Sequence, residues 1–197
     1  LEFRRVLFRS VNSLVLGALS SAVATLIGFL AAYGFARHKL PASAALRALI
    51  AMPLAVSTLV IGMGLLIVFN AAGLPKSLVA AGIGHVVINM PLCFAILYAQ
   101  MGAQQANIER AARDLGAGEW QVLALVTAPM LAPSLIAAFF LSMTFSWDEF
   151  VIAFLLTRFE TTLPVEIWAL LRSGLSPKTN AVGSLVFLAS IVLVLAI

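Results

Sequence analysis

The residues best suited to a function in water lie in a charged segment that is interrupted by glycines and separates two long apolar stretches. From Glu109 to Gln121 this segment reads Glu-Arg-Ala-Ala-Arg-Asp-Leu-Gly-Ala-Gly-Glu-Trp-Gln, and Ala128-Pro129 closes it. It combines small residues for close approach, glycines that break a helix and one large aromatic side chain: Ala111, Ala112, Gly116, Gly118 and Trp120. Pro129 would suit the first turn of the next membrane helix, where its missing N–H costs nothing. The segment is either a short helix that docks on a partner or an amphipathic helix on lipid headgroups.

A second group of polar residues lies within or beside the apolar stretches. Asp148 and Glu149 are predicted near the outer end of a membrane helix, where a charge is tolerated better than at the bilayer centre. They form either an interfacial pair that faces water or Arg158, or a carboxylate lining that attracts a cationic solute. Asn89, two residues before Pro91, either packs in a kinked helix or lines the same path.

Cofactor and catalytic motifs are missing from the sequence. There is no phosphate-binding G-x-x-x-x-G-K-[ST] and no G-x-S-x-G nucleophile turn. His38 and His85 are far apart, and Cys93 is the single cysteine, so neither pattern predicts a metal site or a disulfide. We therefore expect a chain that is not an enzyme and carries no cofactor.

Composition identifies the environment of the chain. Hydrophobic residues make up 62% and charged residues 10% of the sequence, whereas an average soluble domain has roughly 25% charged residues. The net charge of +4 comes from scattered residues at predicted helix ends, which indicates membrane anchoring and not nucleic-acid binding. An all-α, multi-pass membrane helix bundle follows.

Apolar stretches of the required length predict about five membrane spans. They are placed at Asn12 to Ala36, Ala48 to Asn70, Leu78 to Met101, Met130 to Leu156 and Asn180 to Ile197. The stretch from Val165 to Leu171 predicts a short interfacial or re-entrant helix. Four glycines are expected to permit close helix packing: Gly17, Gly28, Gly62 and Gly64.

The two ends of the sequence differ from the rest. Residues 1–10 carry three arginines in a pattern unlike anything that follows, so we expect them to be foreign to the domain. The predicted domain is then 11–197, truncated at both ends. Lysine and arginine counts in the loops do not decide its orientation in the membrane.

The charged segment resembles the cytoplasmic coupling loop in permease subunits of bacterial binding-protein-dependent ABC importers. Their signature is E-A-A, three residues, Gly, nine residues, Ile, any residue, Leu, Pro. Ala111-Ala112, Gly116 and Pro129 stand at matching positions, while Val126 and Ala128 replace the Ile and Leu. Arg110 occupies the position of the family's Glu, and Glu109 precedes it by one residue.

The resemblance continues beyond this segment. The stretches 141–150, 163–168 and 173–180 are similar to the second permease of spermidine/putrescine-type importers, a branch that also includes iron(III) and phosphonate permeases. Polyamine-type permeases tend to carry a Pro-Glu pair where this chain has Ser57-Thr58, and this difference puts a polyamine substrate in doubt.

The resemblance implies a type I importer fold and an ATP-driven importer in the bacterial inner membrane, with this chain forming half of a path for a small polar solute. Residues 102–129 would be the coupling loop, with contacts to a cytoplasmic ATPase dimer through Glu109, Arg110, Ala111, Ala112, Asp114, Gly116, Trp120 and Pro129. The solute path would include Asp148, Glu149, Ser57 and Asn89. A second permease, a periplasmic or lipid-anchored solute-binding protein and the lipid bilayer are the other implied partners, and the ATPase would bind ATP. The alternative is a stand-alone secondary transporter driven by an ion gradient.

Overall fold

The structure is a bundle of helices. The computed structural model describes residues 2–158 and 162–173, and the pairs 183–184, 187–188 and 191–192. All the regular elements within these ranges are helical, so the predicted all-α class is confirmed. In chain order they are α1 (Glu2–Arg37), α2 (Ser43–Ala55), α3 (Thr58–Ala71), α4 (Leu78–Gln100), α5 (Ala103–Asp114), α6 (Glu119–Gln121), a π-helical segment (Val122–Thr127), α7 (Ala128–Met130), α8 (Ala132–Asp148), α9 (Val151–Leu156) and α10 (Leu163–Ser173).

Two of the predicted spans are single helices and two are bent. In the described residues, Arg9–Arg37 and Leu78–Gln100 are long and apolar enough to cross a membrane, and two bent helix pairs could each form one further span. The fifth predicted span, Asn180 to Ile197, falls largely outside the described residues.

The prediction of a continuous helix from Ala48 to Asn70 is wrong. Helices α2 and α3 meet at an angle of 106°, because Val56 is extended after the proline-containing last turn of α2. The predicted helix from Met130 to Leu156 is also interrupted. It bends by 75° at Leu131 and breaks again at Glu149, which is extended.

Helices α1, α4 and α8 form the centre of the bundle. A Cβ atom on Gly28 would lie 2.8 Å from the backbone nitrogen of Phe94 and 2.9 Å from the Cβ of Cys93, so α1 and α4 approach closely there. Cys93 also donates to the carbonyl of Ala138 on α8. Because Gly17 faces Ser146 near the other end, α8 runs antiparallel to α1.

The short helix α9 packs against α3 and α4 through two glycines. A Cβ on Gly84 would lie 2.5 Å from Ile152 Cγ2, and one on Gly62 would lie 2.7 Å from Leu155 Cδ1. The packing roles predicted for Gly28 and Gly62 are confirmed, whereas a Cβ added to Gly64 has no atom of the described residues within 4 Å.

Helix α1 passes through the boundary that the sequence predicts at Ser10. Arg9 forms an ion pair with Glu166 of α10, and Ser13 Oγ accepts a hydrogen bond of 2.8 Å from the backbone N–H of Leu163. Helix α10 covers the short helix expected at Val165 to Leu171. These contacts join the first and last described helices of the bundle.

Candidate functional site

The predicted coupling segment, residues 102–129, folds as α5, a glycine turn and a second helical stretch that contains α6, the π-helical segment and α7. Helix α5 ends at Asp114, and Gly116 has a φ of 92°. The N–H of Ala117 bonds to the carbonyl of Ala112 at 3.1 Å, and that of Gly116 bonds to Arg113 at 2.8 Å. This pattern is a Schellman motif, which favours glycine at its left-handed position. The predicted helix break at Gly116 is confirmed.

Glu109 lies inside the protein and does not present its side chain to a partner. Its exposed fraction is 0%, and its carboxylate accepts hydrogen bonds from Arg37 Nε at 2.6 Å, Arg37 Nη2 at 3.1 Å and Thr127 Oγ1 at 3.0 Å. The expectation that Glu109 is a surface contact is therefore wrong. The sequence gives no sign of this burial because Arg37 is 72 residues away.

A second ion pair joins α5 to α6 and to α1 at the protein surface. Arg113 Nε donates to Glu119 Oε1 at 2.9 Å, and Tyr33 OH donates to Glu119 Oε2 at 3.1 Å. Arg113 Nη2 also donates to Tyr33 OH at 2.9 Å. The hydrogen bond from Arg113, and then that from Tyr33, lowers the pKa of Glu119, and the same bond with Glu119 raises the pKa of Arg113.

The exposed side of the segment carries residues suited to a partner surface. Leu115 is 90% and Trp120 is 77% exposed, although both side chains are large and apolar. Ala111, Arg110 and Asp114 are exposed beside them. Arg110 bonds back to its own helix, through Asn107 Oδ1 and the carbonyl of Ala106. Trp120 on α6 and the small residue Ala111 on α5 are thus both exposed on this side of the segment.

The π-helical segment replaces an ordinary helical turn before α8. It contains Val126, and its last residue is Thr127, which is fully buried. Pro129 lies in α7, before the bend at Leu131, so the prediction that it occupies the first turn of the membrane helix is wrong. Pro133 takes that place in α8.

The four residues predicted to line a solute path have different surroundings. Asp148 is exposed at the end of α8, and Ser57 is exposed between α2 and α3. Glu149 is half-buried, and its Oε1 accepts hydrogen bonds from the N–H groups of Val151 and Ile152 at 3.0 and 3.1 Å. Glu149 therefore caps the start of α9.

Asn89 lies instead beside a buried row of polar side chains between α1, α4 and α8. In this row, His85 Nδ1 is 2.5 Å from Ser146 Oγ, Ser146 Oγ is 3.1 Å from Ser20 Oγ, and Ser20 donates to the carbonyl of Gly17. Neither His85 Nε2 nor Asn89 Nδ2 has a partner among the described residues.

Sequence reasoning missed the roles of Arg37, Tyr33 and Thr127 and the burial of His85. The one available signal was spacing, because Tyr33 and Arg37 are four residues apart and share a helix face. The part of the chain that the structure describes contains no group of His, Cys, Asp and Glu residues that could hold a metal ion.

Comparison with known proteins decides the family. The family described as "Binding-protein-dependent transport system inner membrane component" matches residues 24–197. The chain belongs to this family. It is therefore the permease component of an ABC importer in the inner membrane, and ATP is bound by the ATPase partner and not by this chain. Neither an intramembrane enzyme nor a stand-alone secondary transporter agrees with this membership.

Named relatives of the permease include polyamine transporters. The spermidine/putrescine transport system permease protein PotC of Escherichia coli strain K12 is 27% identical over 187 residues, which cover 94% of this chain and 70% of PotC. The putrescine transport system permease protein PotI of the same strain is 29% identical over 182 residues, which cover 88% of this chain and 65% of PotI. PotC of Haemophilus influenzae is 23% identical over 186 residues, covering 94% of this chain and 72% of the relative.

Proposed function

We propose that this permease forms half of the membrane path for a small polar solute and docks on a cytoplasmic ATPase dimer through residues 102–129. A second permease would form the other half, and a periplasmic or lipid-anchored solute-binding protein would deliver the solute. The observation that carries the coupling role is the exposed apolar side chain of Trp120, on a segment that hydrogen bonds from Tyr33 and Arg37 join to the bundle. A large apolar side chain that is exposed on a polar segment gains most from burial in a partner.

Within this segment the proposed contacts have different tasks. Trp120 would fill a pocket on the ATPase, and Ala111 and Ala112 would allow its surface to come close. Arg110 and Asp114 would form charged contacts at the edge, while Glu109, Gly116 and Pro129 would shape the segment. Arg110 gives this edge the opposite charge from the family's Glu, so we expect an acidic residue on the matching ATPase.

The solute is proposed to be a small cation of the polyamine class, bound without the glutamate that polyamine-type permeases tend to carry where this chain has Ser57-Thr58. The names of the relatives support this class, and so does the exposed carboxylate of Asp148 at the end of α8. Ser57 and Asn89 would be neutral polar contacts along the path. Because Glu149 caps α9, its carboxylate would serve the path by fixing the α8–α9 break.

The coupling role is tested with two glycines that have the same kind of backbone strain. Gly116 and Gly73 have φ values of 92° and 73°, and an added Cβ meets nothing within 4 Å at either position. Gly116→Ala and Gly73→Ala should therefore strain the backbone similarly. We expect co-purification of the ATPase with the full-length tagged permease to fall only in Gly116→Ala. Equal recovery in both variants, or no ATPase with the wild type, would contradict the coupling role.

Trp120→Ala tests the docking surface itself. Because Trp120 is exposed, the change should leave folding intact and weaken ATPase binding by about thirtyfold, the effect of losing a residue that dominates an interface. Val79→Ala, at an exposed position near the start of α4, is the control and should bind normally.

The solute class is tested by uptake into proteoliposomes that contain both permeases, the ATPase and the binding protein. Labelled putrescine, ferric citrate and a phosphonate would be compared with ATP inside and outside the vesicles. We expect ATP-dependent uptake of putrescine, reduced in Asp148→Asn and normal in the control Val79→Ala, at an exposed position outside the coupling segment. Uptake of ferric citrate or phosphonate alone would overturn the polyamine proposal and leave the coupling role standing.

A further inference from the structure

Helix α1 makes side-chain attachments to the coupling segment at two points that are one turn apart. Arg37 binds Glu109 of the segment, and it also donates at 3.4 Å to the carbonyl of Met101, the residue that precedes the segment. Tyr33 binds both Glu119 and Arg113. The partners of these two α1 residues lie 64 to 86 residues away in the sequence, so the attachments depend on the fold and not on chain connectivity.

The covalent connections of the same segment are bends. On the α4 side the chain turns at Met101, whose ψ is 57°, before α5 begins. On the α8 side the helix axis turns by 75° at Leu131. A bend allows relative rotation of the two helices it joins, whereas side-chain contacts at two points oppose it.

The inner attachment is protected from water and the outer one is not. The side chains of Arg37 and Glu109 are 10% and 0% exposed, and those of Arg113 and Glu119 are 30% and 60% exposed. A buried carboxylate that leaves its bidentate arginine and threonine hydroxyl has no water to replace them, and an unpaired buried charge is strongly destabilising. The inner attachment should therefore persist when the segment moves.

We propose that α1 and the coupling segment move as one rigid unit, with Arg37 and Glu109 as positioning residues, so that α1 is the membrane helix that receives the displacement. This inference rests on the proposed coupling role. Helices α4 and α8 would then change their angle to the segment at the Met101 and Leu131 bends, while α1 keeps its angle.

Spin labels at pairs of positions test the inference directly. In a Cys93→Ala background, one pair joins exposed His38, just after α1, to exposed Leu115, and the reference pair joins exposed Ala99 of α4 to Leu115. Separations are measured by electron paramagnetic resonance in the complex without nucleotide and after trapping with ATP and orthovanadate. We expect the 38–115 separation to stay constant and the 99–115 separation to change. A 38–115 separation that changes, or a 99–115 separation that is equally constant, overturns the inference.

Charge reversal then tests the named pair. Arg37→Glu and Glu109→Arg each place like charges together, and both should broaden the 38–115 distribution, while the double reversal should restore a narrow one. Thr127→Val, which keeps the ion pair, is expected to give the smaller broadening and serves if a reversed variant fails to fold. Single variants as narrow as the wild type would overturn the assignment.

The same measurement separates this inference from the coupling role. The width of the 38–115 distribution in the permease alone requires no ATPase. A narrow wild-type distribution that broadens in the single reversals supports the attachment even if ATPase recovery refutes the docking role, and a broad wild-type distribution overturns the attachment whatever the ATPase does.

Discussion

Residues 102–129, which are the coupling end of the bundle, and the interior both contain buried polar side chains, but these side chains differ in how many of them have hydrogen-bond partners. At the coupling end, the Glu109 carboxylate is surrounded by donors from Arg37 and Thr127. In the interior, the polar groups are neutral, and His85 Nε2, Asn89 Nδ2 and Ser142 Oγ have no partner among the described residues. The fully buried carboxylate of Glu109 is thus surrounded by donors, whereas the interior row between α1, α4 and α8 uses hydroxyl, imidazole and amide groups.

The difference follows from the cost of burial. A buried ion needs a complete set of partners because its desolvation penalty reaches several kcal/mol. A neutral group without a partner costs about 1–3 kcal/mol, which a bundle of this size can tolerate at a few positions. Complete pairing therefore indicates a fixed attachment, whereas unpaired neutral groups indicate places where a water or a polar solute could be accommodated.

The largest effect should come from breaking the buried ion pair. Glu109→Ala leaves the Arg37 guanidinium without a carboxylate, and we expect a loss of about 3–5 kcal/mol in the free energy of unfolding. Denaturant unfolding in detergent micelles measures it. A loss below about 1 kcal/mol would mean that the pair is hydrated, and the contrast between the two regions would disappear.

A smaller loss is expected in the interior. Ser146→Ala removes the hydroxyl that joins His85 to Ser20 and should cost about 1–2 kcal/mol. Thr144→Val is the matched change, because the hydroxyl of Thr144, among the described residues, bonds to the carbonyl of Phe140 in its own helix, at 2.9 Å. This change should be close to neutral. Equal losses in the two variants would argue against the polar row.

Asn89→Leu tests the effect of replacing an unpaired polar group next to the same row. Because Asn89 Nδ2 has no partner among the described residues, the change should alter stability by less than about 1 kcal/mol. Solute uptake by the reconstituted importer should nevertheless fall if Asn89 lines the path. A loss of stability as large as that of Ser146→Ala would indicate that Asn89 is bonded, through water for example.

The smallest effect should be at the exposed pair. The pKa of Glu119 lies below its ordinary value of 4.5, so its contribution to stability is complete above that pH and is lost as the pH falls through the lowered pKa. The difference between wild type and Glu119→Gln should therefore be small at pH 7 and vanish in more acid solution. High salt should also reduce it, since exposed ion pairs are screened. A stability difference between wild type and Glu119→Gln that grows as the pH falls would contradict the lowered pKa of Glu119.

The helical class and the places of α1 and α4 could be predicted, because an uninterrupted apolar stretch of this length has few other ways to satisfy its backbone in a membrane. The bends could not be predicted from proline alone. Pro91 lies inside the unbroken helix α4, whereas Pro53 precedes the break at Val56. Helix α4 has many buried residues and packs between α1 and α8, whereas α2 has none, and this difference in tertiary packing is not displayed by the sequence.

The candidate site, too, could be predicted from the sequence only in part. The turn at Gly116 follows from a local backbone requirement that the sequence displays. The role of Glu109 does not, because a charged residue in a polar segment is normally solvated, and only the approach of Arg37 from α1 makes its burial favourable. Likewise, nothing in the sequence around His85 distinguishes a buried histidine from one at a helix end.

The π-helical segment at Val122–Thr127 has a consequence for the alignment of related chains. Each extra residue in a helical turn rotates everything that follows by roughly 100° relative to an ordinary helix. Removing one residue between positions 122 and 127 would preserve composition and hydrophobicity, yet it would turn a different side chain toward Glu109 in place of Thr127. In this stretch the rotation of the helix decides which side chain faces Glu109. A relative that is one residue shorter here would need a different partner for the buried carboxylate.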